Sequence, residues 1–340
     1  MPANPLIRSV DGDPDSKALA LADEAGSPWN SLAFARLQRA CGQTTRFLIA
    51  ERDGEPVGLL ALWISGSRRV PMLDSVLTRT VRLPDEPAVP SGDREVAKAL
   101  AQAAMEEIRR LRAVEAVWRV ELPRLLTPGD LALLGFRVET RGVGVLELPR
   151  KEEALEGLLS RTARKQVRKA RKAGLQVEVA QGVDRLLPLL DRSFARAGLP
   201  ARDHGYVRLL YGTLSSEVLV VTHAGRDVSA LLWSRVGRVG LNVFHGRDDG
   251  DVEGASNLLH LELFARCLRA GVEILHTGDA GLPGEADPRV RGITHFKETM
   301  GFEVRPAFQG EWTPRPFAAG VRRAALDAWM RVSDSGGAQA

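Results

Sequence analysis

At 340 residues the chain has room for two domains of ordinary size, each long enough to bury its own core. Its 44% hydrophobic and 26% charged content is that of a globular protein, and no stretch approaches the roughly 18 apolar residues of a membrane-spanning helix. A net charge of +4 does not by itself imply a nucleic-acid partner, and two cysteines, Cys41 and Cys267, are too few for a disulfide framework or a thiolate metal site.

Residues 1–28 are rich in Pro, Asp, Gly and Ala and show no basic segment followed by an apolar run. No secretory leader is expected, the cytoplasm is the expected compartment, and ordered structure should begin near Trp29. The spacing of Leu32, Phe34, Ala35 and Leu37 predicts a helix over 30–41, stopped at Gly42. Strands follow at 46–51 and 56–64 around an Asp53-Gly54 turn, then prolines break 66–92 into short extended pieces. A helix at 93–112, a strand at 114–122, a helix at 125–134 and strands over 136–148 complete the first half. The second half opens with a long helix over 152–173 and a strand at 175–180. Helices are predicted at 184–197, 203–213, 255–270 and 288–300, and strands at 217–223, 228–236, 239–245, 272–277 and 302–312. A last amphipathic helix, 317–332, precedes a polar tail. Alternating strands and helices imply a mixed α/β sheet. The expected division is a first module at 1–150, a second at 151–316, and a C-terminal helix and tail at 317–340.

The two halves repeat. Residues 48–62 match 219–233 in outline, with Leu48 on Leu219, Gly54 on Gly225, Val57 on Val228 and Leu60 on Leu231, an offset of 171 (219 − 48). Gly135-Phe136 and Gly301-Phe302 close the two copies at an offset of 166 (301 − 135).

Three constellations could carry chemistry. Arg161, Arg164, Lys165, Arg168 and Lys172 fall on one helical face within a segment of seven basic and no acidic residues. Such a stripe suits a phosphate chain, because neutralised phosphates release condensed counterions, although a charged run is also what a solvated surface helix looks like. His295-Phe296-Lys297 lies on a helix after a glycine-containing loop that begins at Thr277-Gly278-Asp279, where a lysine could stabilise charge developing on a carbonyl or simply be exposed. In Arg202-Asp203-His204-Gly205-Tyr206, Arg202 and Tyr206 stand at i and i+4 and would offer a cationic fork and a phenol to an anionic substrate, while Asp203 reads as a helix cap. No nucleophile-elbow, phosphate-loop, zinc-helix or dinucleotide motif is present, and of the six scattered histidines only His276, at a strand end, draws attention.

The segments RKQVRKARKAG (164–174) leading into LQVEV, SFARAGLPARDHGYVRLL (193–210) and GITHFKETMGFEV (292–304) resemble the FemAB-type aminoacyltransferases. The resemblance covers 150–310 through motifs and 29–148 through module order. It implies two tandem GNAT-like modules, the acyl-CoA N-acyltransferase fold, each a mixed sheet flanked by helices. It also implies transfer of an amino acid from aminoacyl-tRNA to an amine of a nucleotide- or lipid-linked peptidoglycan precursor, with no metal and no cofactor beyond the charged tRNA. Phe296 and Lys297 would meet the aminoacyl ester, Arg202 and Tyr206 would hold the precursor, and the 161–172 stripe would meet tRNA phosphates. One position departs: where the family places a phosphate-contacting lysine this chain has Gln38, with Arg36 and Arg39 as neighbouring cations. The alternative reading is an acyl-CoA-dependent N-acyltransferase using acetyl-CoA, whose pyrophosphate loop would be 247–253. That loop carries Val252 and four carboxylates, which repel pyrophosphate. A third reading is a non-catalytic protein that binds RNA through the basic stripe.

Overall fold

The computed structural model describes residues 5–66, 79–248, 250, 252–314 and 320. In chain order the strands are β1 (Leu6–Asp11), β2 (Thr44–Arg52), β3 (Glu55–Ser65), β4 (Thr80–Leu83), β5 (Glu115–Val120), β6 (Arg137–Glu147), β7 (Gln176–Ala180), β8 (Ser215–His223), β9 (Arg226–Val236), β10 (Val239–Arg247), β11 (Ile274–Ala280) and β12 (Glu303–Trp312). The helices are α1 (Ser16–Glu24), α2 (Leu32–Ala40), α3 (Arg94–Arg110), α4 (Pro128–Leu133), α5 (Leu155–Leu158), α6 (Arg161–Lys172), α7 (Leu187–Arg196), α8 (His204–Thr213), α9 (Ala255–Arg269) and α10 (Pro288–Thr299). Two compact units result: one of residues up to Ala25, Gly42–Thr140 and the chain from Phe308, the other of Gly26–Cys41 and Arg141–Ala307.

In the first unit β1, β2, β3 and β4 pair antiparallel in turn, β4 runs parallel to β5, and the end of β12 closes the sheet against β5. Helix α3 follows from its sequence. Asp93 caps its first amides by accepting from Glu95 and Val96, and Val96, Ala97, Leu100, Ala104 and Ile108 recur at helical spacing on its buried face. They cover a core with Trp118 at its centre, whose indole N–H donates to the Asp85 carbonyl, so the large ring is buried without an orphaned donor. In the second unit β7, β8, β9 and β10 are antiparallel, β10 runs parallel to β11, and β6 closes the sheet against β11. Helix α9 takes the place of α3, burying Leu259, Leu263, Phe264 and Cys267.

The internal repeat is exact in register. Leu48 lies opposite Leu60 and Leu219 opposite Leu231, and the ladder shifts between Ala50 and Glu51 in one hairpin and between Val221 and Thr222 in the other. Both hairpins turn on two residues with positive φ, Asp53-Gly54 (54° and 79°) and Ala224-Gly225 (49° and 75°). That turn geometry matches strand twist and favours glycine at its second position.

The structure differs from the sequence reading in several places. Residues 6–24 are not loosely attached: β1 pairs with β2 over six residues, Asp15 caps α1 through the Ala18 amide, and Arg8 binds Glu51. The helix expected over 152–173 is broken, because Leu159 and Ser160 are extended and Ser160 caps α6 by accepting from the Ala163 amide. The packing units depart from a cut at residue 150, since α2 packs with α8 in the second unit and Phe308–Trp312 pairs with Val120–Ala116 in the first. The helix expected over 317–332 lies outside the described residues apart from Gly320. Among the described residues no helix is long and apolar enough to cross a membrane, and no group of three or more His, Cys, Asp or Glu side chains is placed to hold a metal ion.

Candidate functional site

The parallel register of β10 and β11 ends at Leu241 opposite His276, yet both strands run on, to Arg247 and Ala280. Beyond that point β11 pairs only with β6, through an irregularity between His276 and Asp279. Thr277, Gly278 and Asp279, read from sequence as the start of a loop, thus belong to a distorted strand end. Their three carbonyls converge on the Lys297 ammonium, which donates to Thr277 O at 2.8 Å, Gly278 O at 3.1 Å and Asp279 O at 2.7 Å. Lys297 is therefore not exposed: it is 9% accessible, and each of its N–H donors has an acceptor. Burial pushes its pKa down to about 8, against the carboxylate of Asp279, which pulls it up. Gly144 on β6 admits this arrangement, since a Cβ there would lie 2.4 Å from Thr277 Oγ1 and 3.0 Å from Lys297 Cδ.

Phe296, the neighbour of Lys297 on α10, packs edge-on against His260 (centroids 5.1 Å apart), and His260 packs edge-on against His245 (5.2 Å). Both imidazoles are held in polar contacts. The His260 Nδ1–H donates to the Ser256 carbonyl at 2.8 Å, its Nε2 accepts from the Asn242 amide at 3.2 Å, and His245 Nε2 meets Ser229 Oγ at 2.9 Å. Burial lowers His260 to about 4 and His245 to about 3, so both are neutral near pH 7. In residue order the histidines are scattered, and nothing there marks this cluster. His245 on β10 and His260 on α9 are brought together by the packing of helix on strand, which the sequence does not display. His276 is buried, stacks edge-on against Trp29 at 5.2 Å, and its Nδ1 accepts from the Gly278 amide.

Arg202 and Tyr206 do not share a helix. Asp203 caps α8, accepting from the Gly205 and Tyr206 amides, so Arg202 precedes the helix and only Tyr206 lies in its first turn. The Arg202 guanidinium sits over Phe194 (5.0 Å) and near Phe244 (5.8 Å), the latter on β10 beyond the end of its pairing with β11. Phe244 faces the side covered by α7, because a Cβ on Gly246, two residues along the pleat, would strike Leu189 and Leu190. Gln38, on α2, is buried, Arg36 is exposed and Arg39 is partly buried.

On α6, Ala163, Val167 and Ala170 face inward, and Arg161, Arg164, Lys165, Arg168 and Lys172 are all exposed. The two remaining cations are neutralised, Lys169 by Glu253 and Arg171 by Glu156, whereas none of the five stripe residues has an ion-pair partner among the described residues. The same helix closes over the start of α9. Gly254, which caps α9 at φ 82°, lies so near α6 that a Cβ would stand 2.3 Å from the Gln166 carbonyl oxygen.

The fold and this site define a protein built from GNAT-like modules, and residues 159–297 match the family described as an acetyltransferase (GNAT) domain. No curated protein sequence matches the chain at a significant level. Among solved structures the chain is similar to FemX, at 14% identity and a TM-score of 0.72 over 88% of this chain and 96% of that one. It is also similar to the C-terminal DUF2156 domain of an Agrobacterium fabrum protein named as a lysylphosphatidylglycerol synthetase (18% identity, TM-score 0.58, 92% and 96% covered). A tandem GNAT protein from the clavulanic acid biosynthesis pathway follows (16%, 0.53, 90% and 98%). At the level of fold these likenesses bear out the FemAB-type resemblance and the tandem GNAT-like architecture.

Proposed function

We propose that this chain is an acyltransferase that moves an amino acid from aminoacyl-tRNA to an amine of a peptidoglycan precursor. The observation that carries the reading is the row of five exposed cations on α6 that have no ion-pair partner among the described residues, on a helix whose other two cations are paired. The similarity to FemX supports the precursor as acceptor. In the reaction the acceptor amine attacks the ester carbonyl, a C–N bond forms, the ester C–O bond breaks, and the amine's proton leaves with the ribose oxygen. The ester is already activated, so positioning and electrostatics suffice. Lys297 contributes the field of a partly desolvated cation and fixes the strand end 277–279; Phe296 sets the wall beside it; Arg202, flanked by two aromatic rings, and Tyr206 hold the anionic precursor.

Acyl-CoA-dependent transfer is the second reading, because the matching domain family is an acetyltransferase family. Against it, the start of α9, where a pyrophosphate would be cradled, is packed under Gln166 and flanked by Glu253. The test is transfer of labelled amino acids from a charged tRNA pool to a nucleotide-linked precursor, with and without ribonuclease, beside an acetyl-CoA reaction. Ribonuclease-sensitive transfer is expected. Label moving only from acetyl-CoA overturns the proposal in favour of the second reading.

A further inference from the structure

The imidazole network behind Phe296 takes no part in the transfer as described, and its groups are costly ones to bury. The other buried residues of α9 are alanine, leucine, phenylalanine and cysteine, yet position 260, at 4% exposure, holds a histidine. A leucine there would fill the space against Phe296 without desolvating two ring nitrogens. The imidazole does what leucine cannot. Its Nδ1–H donates to the Ser256 carbonyl one helical turn back and its Nε2 accepts from Asn242, so both nitrogens are satisfied and the plane of the ring is fixed. With its pKa lowered to about 4 by burial, the ring stays neutral near pH 7 and Nε2 remains an acceptor.

Strand β10 is bent to supply these contacts. Asn242 lies opposite Trp233 and His245 opposite Leu231, and both partners belong to the core that α9 covers. Three residues apart on a regular strand, Asn242 and His245 would point to opposite faces. The register shift between Asn242 and Phe244 removes that difference, so the two polar side chains reach the α9 face together while Phe244 faces α7. The shift begins one residue after Leu241, where β10 stops pairing with β11. One bulge thus sets Asn242 and His245 against His260, whose ring stands edge-on to His245 at 5.2 Å and to Phe296 at 5.1 Å. Phe296 is only partly buried, so His260 backs a ring that keeps accessible surface.

We propose that His260 is a positioning residue for the transfer: held by Ser256 and Asn242, it fixes the ring of Phe296 beside Lys297, where the aminoacyl ester is bound. The inference rests on the reading of Phe296 and Lys297 as the transfer centre. His260 is itself buried and acts through Phe296.

The test is a double-mutant cycle on the full chain. His260→Phe keeps an aromatic ring and removes both hydrogen bonds, Asn242→Leu keeps the imidazole and removes one, and each is combined with Phe296→Ala. In the transfer assay each of the first two should lower kcat by about tenfold or more, because small misplacements of a positioned group are costly, with KM for the precursor held within about twofold. In the Phe296→Ala background neither should lower kcat further. Losses that multiply in the combined variants, or a loss confined to KM, overturn the proposal. 4-Fluorophenylalanine at position 296 reads the same contact without turnover. Its ¹⁹F line should be single in the parent and shifted or broadened by Asn242→Leu, and a line unchanged by that variant overturns the proposal. A parent that transfers nothing, with the line still moved by Asn242→Leu, overturns the assigned reaction while supporting the hold of His260 on Phe296.

Discussion

Replacing Lys297 by Met removes the ammonium but keeps most of the aliphatic stem, so it isolates what the charge does at the strand end 277–279. Two effects oppose each other. Relief of burial is stabilising: the pKa falls from 10.5 to about 8, which at 1.36 kcal/mol per unit corresponds to about 3 kcal/mol. Loss of three charge-assisted hydrogen bonds is destabilising, at about 1.5–3 kcal/mol each. The bonds win, and the expected net loss is on the order of 3 kcal/mol. Urea unfolding followed by fluorescence and circular dichroism should show the transition moved down by about 1–3 M, for a slope of about 1–3 kcal/mol per M. The edge-on packing of Trp29 against His276, whose Nδ1 accepts from the Gly278 amide, gives a local fluorescence reporter of the same change. A variant within about 0.5 kcal/mol of the parent would refute the view that Lys297 organises these carbonyls.

Because the folded pKa values of His245 and His260, about 3 and about 4, lie below the ordinary 6.5, the unfolded chain binds more protons between those limits. Stability is therefore fully present above pH 6.5 and lost as pH falls, with a slope approaching two protons, about 2.7 kcal/mol per pH unit; denaturation across pH 4–7 should show it, and His245→Gln with His260→Gln should flatten it. Transfer, in contrast, should decline as pH rises through about 8, where Lys297 loses its proton, in a pH–rate profile with saturating substrates. Changing Arg164, Lys165 and Arg168 to Glu should abolish tRNA binding in a filter assay under conditions where the parent binds, with the slope of log K against log salt flattened by about 2–3. Gly254→Ala places a methyl against the Gln166 carbonyl at a positive φ and should lower stability by about 2–4 kcal/mol in thermal unfolding, with no loss meaning that α6 does not close over α9.

Much of the fold was legible because its signals are local. The Asp53-Gly54 turn, the matching Leu48 and Leu219 ladders and the helix-ending glycines before Phe136 and Phe302 are short-range patterns that two copies reinforce. What the sequence hid was set at long range or in competition. Leu155 and Leu158 continue the apolar spacing of α6, so only the cap at Ser160 betrays the break. Strand β1 is a half-exposed edge with weak alternation, recognisable only by its partner β2. The basic stripe could be read from residue order, and its lack of counter-ions could not, since Glu253 and Glu156 might have served any of seven cations but serve Lys169 and Arg171. Phe296 and Lys297 were legible as neighbours, whereas the carbonyls that fix Lys297 and the imidazoles that flank Phe296 come from other elements.

Closure of the first sheet by the end of β12 bears on synthesis. Val120 and its partner Phe308 are 188 residues apart (308 − 120), and everything between them must leave the ribosome before the pair can form. At about 5–20 residues per second that interval is roughly 10–40 s, during which the outer edge of β5 has no strand beside it. Nascent chains on a polysome would then carry a bare, apolar edge for the same interval, and an unpaired edge is a template for joining to another chain. The exchange of segments thus leaves one edge of the first sheet open until translation is nearly done.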